Sequence, residues 1–458
     1  MKLFKIIFYI SIIGIYPLFS QTANDAIRIR QNEIGFGART LAMGGNGVAL
    51  ANDYSALYWN PAGLASLRFS EISGEFSHLR FNNAADFANN SSEFTNNFTR
   101  FRNFGLAIPM ATERGSLVIA MGYNYVKDFD EYLSFNGFNQ QSNGLEFQLR
   151  DDQGNYSWYP FDRNVTQSEE VMVEGGLHQW SFGGAIALSP NFDFGVSMQF
   201  WRGQEDYNLY FLQEDSENIY TSYPGDFFSY SVSDNIISRY KAFSIKMGGM
   251  FKLNPATRLG LAVEFPTTFS ITEDYTSSDE LIFDDGYVDP YEYEPATWEY
   301  KVKTPYRFDA GLGVQLANLR VNGSATFQDW QQVRFVVPEN RSFDSDYQEL
   351  ISENSIIQTN YRATLNYHVG GEFYVPYSNV YLRGGYAVYP SPLKDATSDL
   401  DKKVYSGGIG IRVGKSTFLD ATYLQSNWKR ESEDIFTPGG TLEDITEGRV
   451  FLGIRVLL

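Results

Sequence analysis

Three histidines, His78, His178 and His368, are the only imidazoles in the 458 residues, and the chain has no cysteine. The lack of thiols removes disulfide frameworks, thiolate metal sites and cysteine nucleophiles. None of the histidines stands in a His-Glu-x-x-His or Gly-x-Ser-x-Gly setting, and a serine hydrolase needs a serine, a histidine and an orienting acid within reach of one another. His368 falls on the polar face of an alternating segment and reads as a polar interior residue. No catalytic residue, metal site or cofactor is expected. The acidic run from Glu273 to Glu299 includes Asp284-Asp285-Gly286 but lacks the ligand spacing of a calcium hand. It reads as a solvated, self-repelling loop. Arginines are the side chains most able to do chemistry. Arg307, Arg320, Arg362, Arg383 and Arg412 share the polar faces of alternating segments with Arg449 and Arg455. A guanidinium can hold a carboxylate head group through two parallel hydrogen bonds. The competing use is an internal ion-pair network with Glu264, Asp309 and Asp420. A net charge of -19 excludes nucleic acid as a partner, because phosphate must be neutralised by cations.

The elements that would position these arginines are β-strands. Val450, Leu452, Ile454, Val456 and Leu458 alternate with Arg449, Gly453 and Arg455. Leu319, Val321, Ala325 and Phe327 oppose Arg320, Asn322, Thr326 and Gln328, and Leu259, Leu261, Val263 and Phe265 oppose Arg258 and Glu264. Period-two alternation is the mark of a strand with one apolar face. Connection lengths alternate as well. Tight links occur at Met110 to Arg114, Ser189 to Asn191, Leu253 to Ala256, Leu316 to Leu319, Pro376 to Asn379 and Gly414 to Ser416. Between them lie long polar stretches, among them Asn82 to Arg100, Leu133 to Gly176, Gln204 to Asn235 and Glu273 to Ala296. Short turns on one side and long loops on the other are the pattern of an outer-membrane barrel. The expected architecture is therefore an all-β, antiparallel transmembrane β-barrel of about 14 strands, spanning 68–458. No internal apolar run approaches the ~20 residues of a spanning helix, and no repeat near 40 residues suggests a propeller.

Two N-terminal segments stand apart. Residues 1–20 carry Lys2 and Lys5 before an apolar core from Ile6 to Ile15, the form of a secretory signal peptide, with cleavage expected near Ser20 or Gln21. Residues 21–67 do not alternate. They are rich in Gly, Ala and Leu, and about 40 residues rarely fold alone, so they are expected to form a compact plug inside the barrel. Aromatic residues crowd two of the long loops. Phe135, Phe138, Trp158, Tyr159 and Phe161 lie in one, and Tyr207, Tyr210, Phe211, Phe227 and Phe228 in the other. They suit either capture of an apolar ligand or an aromatic girdle at the lipid interface.

The plug segment carries a resemblance. Gly-Ala-Arg-Thr-Leu-Ala-Met-Gly-Gly at 37–45 is followed by Asp-Tyr-Ser-Ala-Leu-Tyr-Trp-Asn-Pro-Ala-Gly-Leu-Ala at 53–65. Together they resemble the N-terminal hatch of the FadL-type transporters of long-chain fatty acids and aromatic hydrocarbons. Thr304-Pro305-Tyr306-Arg307-Phe308 and Leu382-Arg383-Gly384-Gly385-Tyr386, before Tyr389-Pro390-Ser391-Pro392, agree with it. The resemblance implies a monomeric outer-membrane barrel of 14 strands, among membrane lipids and lipopolysaccharide, with the hatch in its lumen. It implies capture of a hydrophobic small molecule on external loops, an internal pocket, and exit through a kink in the third strand. On that basis Gly44, Gly45, Asn60, Pro61, Ala62 and Gly63 are the hatch residues. The third strand is Gly115 to Phe129, and Gly122 is its candidate kink; otherwise Gly122 is a barrel glycine packed against an aromatic ring. A similar start occurs in PorV-type barrels, which serve as partners of type IX protein secretion, and that is the alternative function. The apolar plug argues against a general porin, which keeps a water-filled channel.

Overall fold

The computed structural model describes residues 21–458 apart from Asn46, Glu433 and Pro438, so the signal-peptide segment lies outside the described residues. Fourteen antiparallel walls close into a barrel. They are β1 (Glu71–Phe87), β2 (Asn90–Met110), β3 (Leu117–Asp128, continued by Glu131–Asn139), β4 (Val165–Ser189), β5 (Phe192–Glu214) and β6 (Phe227–Lys252). Then come β7 (Thr257–Glu264 and Thr268–Phe283), β8 (Ala296–Lys303 and Arg307–Leu316), β9 (Leu319–Asp329) and β10 (Ala363–Tyr374). The last four are β11 (Val380–Tyr389), β12 (Lys402–Val413), β13 (Thr417–Ser432) and β14 (Thr441–Leu457), and β14 pairs with β1 from Glu71↔Leu457 to Asp86↔Leu442. All six tight links read from the sequence are hairpin turns at one end of the barrel.

The barrel is inside-out relative to a soluble protein. Phe308, Leu312, Leu365 and Tyr367 are exposed, whereas Arg307, Asp309, Thr326 and His368 are buried. Lipid solvates the first set, and the lumen must pair the second. β6 shows where the membrane ends. Its outward side chains run Ser233, Asn235, Ile237, Arg239 and Lys241, polar but for Ile237, then change to Phe243, Ile245, Met247 and Phe251. A membrane strand needs only about 9–11 residues, and β6 has 26. The rest stands outside the bilayer.

Four long stretches that read as loops therefore need correction. Asn82 to Arg100 is a continuous hairpin of β1 and β2, and much of Leu133 to Gly176, Gln204 to Asn235 and Glu273 to Ala296 is strand. Their outward faces meet water, so the polar–apolar contrast that signals a strand disappears while the hydrogen-bonded ladder continues. A helix, Ser345–Asn360, caps the outer end beyond β9. At Phe265-Pro266-Thr267 and Thr304-Pro305-Tyr306 the ladders of β7 and β8 are interrupted, because proline has no N–H to give. Thr304 N–H donates to Thr267 O at 2.8 Å and restitches the wall.

Residues 21–67 fill the lumen as three short helices, α1 (Ala23–Arg28), α2 (Ala38–Leu41) and α3 (Ala56–Trp59), followed by a 3-10 turn, Pro61–Ser66. Thr22 and Asp25 cap α1 reciprocally, which satisfies two amides that the helix leaves free. Gly44 and Gly45 take φ of 89° and 75°, a conformation that costs a glycine little.

Candidate functional site: the hatch, the break in β3 and the outer cavity

The hatch sits where the barrel wall lacks side chains. A Cβ on Gly370 would stand 2.8 Å from Met43 Cα, one on Gly385 2.7 Å from Gly44 Cα, and one on Gly195 2.5 Å from Ala62 N. Gly105 and Gly122 receive the Tyr54 ring and its hydroxyl in the same way. Only glycine allows backbone to approach backbone so closely.

Hydrogen bonds then lock the hatch in register. The Asn60 carboxamide accepts from Ala62 N–H at 3.1 Å and donates to Val48 O at 2.8 Å and Gly249 O of β6 at 3.1 Å. One side chain thus caps the 3-10 turn, braces the hatch and ties it to the wall, while Pro61 occupies the first-turn position that needs no N–H. Gly63 packs against Ala51 O. The His368 Nδ1 is 2.7 Å from Gly44 O, and Ser406 Oγ bonds both Gly44 N and Ala42 O. This is a structural use of His368, in line with its reading as an interior polar residue.

Charges complete the seat. Glu372 of β10 takes two hydrogen bonds from Arg39 at 2.9 Å each, one from Arg383 at 2.8 Å and one from Arg320 at 3.1 Å. Arg30 bridges Glu33 and Glu264 at 2.9 Å, and Asp53 faces Arg39 and Arg455 at 3.4 Å. Buried ions are tolerated only when paired in this way. Three cavities beside the hatch measure about 20, 30 and 20 Å³, room for little more than a water each.

The β2–β3 ladder ends at Asn103↔Asn124, and on the other side β3 slips register against β4 between Tyr125 and Lys127. Val126 falls in the slip. Its carbonyl accepts instead from hatch Gly35 N–H at 3.0 Å. Around it, Arg102 pairs with Asp128 at 2.9 Å and donates to Gly35 O at 3.2 Å, Lys127 Nζ donates to Gln31 O at 2.7 Å, and Arg449 joins Asp128. The hatch thus serves as a missing strand partner where the wall is interrupted. Gly122, the candidate kink, instead pairs with Gly105 and Ser181 in unbroken register. The irregularity lies beyond it at Val126, and Gly122 makes room for Tyr54.

Above the hatch opens a cavity of about 860 Å³, within the size range of small-molecule sites. Its floor is α1 together with Gln21 and Thr22, which precede it. Phe135, Phe147, Trp158, Tyr207 and Tyr230 supply aromatic wall. Arg28, at the end of α1, lies 5.6 Å from the Phe129 ring beside the β3 break. The aromatic loops are thus divided. Tyr207 and Phe135 face the cavity, Phe161 and Phe227 stack on each other at 4.6 Å, and Tyr210 and Phe228 face outward.

The five candidate head-group arginines are elsewhere. Arg307 pairs with Asp309 at 3.2 Å and reaches Glu33 at 3.7 Å, and Arg320 and Arg383 serve Glu372. Arg362 donates to Ser391 O at 3.2 Å, and Arg412 donates to Lys415 O in a turn. None lines the large cavity. Reading the sequence for motifs missed Glu33, Asp128 and Glu372, which hold the hatch and the break. The available signal was a carboxylate at an inward strand position, as in Gly370-Gly371-Glu372.

A closed lipid-facing barrel, plugged by its own N-terminal segment and carrying an apolar outer cavity, defines a class: a hatch-sealed outer-membrane barrel for hydrophobic compounds. The sequence profile described as outer membrane protein transport protein (OMPP1/FadL/TodX) matches residues 19–448, and the chain belongs to that family. The fold is similar to the P. putida toluene transporter TodX, at TM-score 0.58 and 13% identity, over 93% of this chain and 99% of that one. It is similar to a Pseudomonas aeruginosa FadL homologue at 0.56 and 14%, over 92% and 98%. The CymD monoaromatic hydrocarbon channel gives 0.54 and 14%, over 93% and 99%. No curated protein matches the sequence.

Proposed function

We propose that this protein admits hydrophobic small molecules to the outer cavity and passes them, by displacement of α1 and the hatch, to the break in β3 and out into the membrane. The observation that carries the reading is the aromatic cavity of about 860 Å³ standing over a hatch beside which the cavities measure about 20 to 30 Å³, next to a wall whose missing hydrogen bond the hatch supplies. An apolar ligand gains from leaving water for such a cavity and from leaving the cavity sideways into lipid, so neither step needs an aqueous pore. The solved structures of similar fold are named for toluene and monoaromatic hydrocarbons. Such aromatics and long-chain fatty acids are the first ligands to test. A secretion partner of the PorV type has no need of an outer cavity walled by aromatic side chains, which favours transport.

The test uses the absence of native cysteine. A Cβ on Gly453 would stand 3.3 Å from Ala38 Cβ, close to the ~3.8 Å that a disulfide spans. Ala38→Cys with Gly453→Cys bolts the hatch to β14. In cells lacking their own transporter, uptake of labelled oleate or toluene is expected with the reduced protein, to fall on oxidation, and to return with reductant. Equal uptake in both states would overturn hatch gating. No uptake from a correctly assembled barrel would overturn transport of these ligands.

A further inference from the structure

The outer cavity has an electrostatic character that neither a fatty acid nor a hydrocarbon uses. Nine carboxylates and two guanidiniums line it. Both guanidiniums are already engaged. Arg28 bridges Asp25 and Glu205, and Arg430 bridges Glu131 and Glu443. Several of the remaining carboxylates accept hydrogen bonds from their neighbours: Glu273 from Tyr300 at 2.6 Å and Asp279 from Tyr293 at 2.9 Å. Glu169 differs. It is 4% exposed, yet its Oε2 accepts no hydrogen bond from a donor side chain or amide of the described residues. It lies in register between Phe135 and Phe211 on the neighbouring walls, and the Asp434 carboxylate stands against it. Two carboxyl groups in contact are held together only by a shared proton, and a cation that brings N–H donors can take its place.

We propose that this cavity prefers apolar molecules bearing a protonated amine, seated on Glu169 and Asp434 against the aromatic wall, over the corresponding carboxylates. The inference rests on the transport reading and adds the ligand's head group. A carboxylate would enter a field of like charge with no free arginine to meet it. An alkylammonium brings N–H donors to Glu169 Oε2 and a cation to ring faces that attract it. A divalent metal is the poorer fit, since no three acidic or imidazole groups among the described residues converge on one point. Burial and the adjacent Asp434 push the Glu169 carboxyl up to about 10, with Glu443 acting in the same sense, and Tyr207 also faces it. Glu169 is therefore protonated at neutral pH in the empty cavity, and an arriving cation displaces that proton.

The experiment is isothermal titration of the full mature chain in zwitterionic nanodiscs, with empty discs subtracted, using n-octylammonium, octanoate and octanol. Octylammonium is expected to bind at least ten-fold more tightly than octanoate. It should release close to one proton, read from buffers of different ionisation enthalpy, so its affinity rises up to about ten-fold per pH unit below the Glu169 pKa. Glu169→Gln should abolish both the preference and the proton release. Equal binding of the three probes would overturn head-group selection and leave transport standing. An amine preference unchanged in Glu169→Gln would overturn the assignment to this site, because the net negative charge of the chain would then be its cause. Binding of no probe would overturn the cavity's role in transport and the present inference together.

Discussion

Gly385 and Gly384 are neighbours on β11 with opposite duties, and exchanging each for alanine separates hatch seating from barrel stability. A Cβ at Gly384 meets nothing nearer than Ser406 O at 3.9 Å, whereas one at Gly385 would stand 2.7 Å from Gly44 Cα. Ordinary contact begins near 3.4 Å, so in Gly385→Ala the hatch backbone must retreat by roughly 0.7 Å or more. Overpacking of this kind costs about 1–3 kcal/mol. Retreat also weakens the contact of His368 with Gly44 O and the bond that Gly44 N–H donates to Ser406 Oγ, each worth about 0.5–1.5 kcal/mol. The combined cost is on the order of 2–6 kcal/mol, and with 1.4 kcal/mol for each factor of ten, the unseated fraction should rise by roughly 30-fold or more. The assay is hydrogen exchange at residues 38–45, with single-channel conductance in planar bilayers as a second reading. Gly385→Ala should lose protection there and show openings, while Gly384→Ala should match the parent protein. Equal protection in the two variants would refute the claim that glycine vacancies seat the hatch.

Other perturbations follow from the same contacts. Glu372→Gln leaves Arg39, Arg320 and Arg383 without a common anion. Loss of one partner of a buried pair costs about 3–5 kcal/mol, and limited proteolysis of residues 38–53 should become markedly faster. Asp128→Asn leaves the buried Arg102 and Arg449 facing a neutral amide, so exchange should rise at Tyr125 to Asp130 and at Gln31 to Gly35 together. A rise at one segment alone would show that the hatch and the β3 break are not coupled. Asn60→Ala removes one cap and two braces. At about 1 kcal/mol for each hydrogen bond, it should unseat the hatch less than Glu372→Gln does, and conductance recordings would order the two.

Much of the architecture is legible in the sequence because lipid imposes a local rule. A strand in a bilayer must show apolar side chains at every second position, so Leu319, Val321 and Phe327 announce β9 without any partner, and the tight turns announce one rim. The same rule lapses outside the membrane. Beyond Lys241 the outward face of β6 meets water, and strand there looks like loop. The hatch is legible for a related reason: its glycines and Asn60-Pro61 encode local turns. Tertiary structure alone decided the pairings. Arg39 meets Glu372 across 333 residues, and no periodicity distinguishes that carboxylate from a ligand's. The break in β3 depends on Gly35 meeting Val126, so a glycine at 122 could be seen in the sequence but its duty toward Tyr54 could not. The cavity is the extreme case, since its acidic wall gathers Asp25, Glu169, Glu273 and Asp434 from four separate segments that only closure of the barrel brings together.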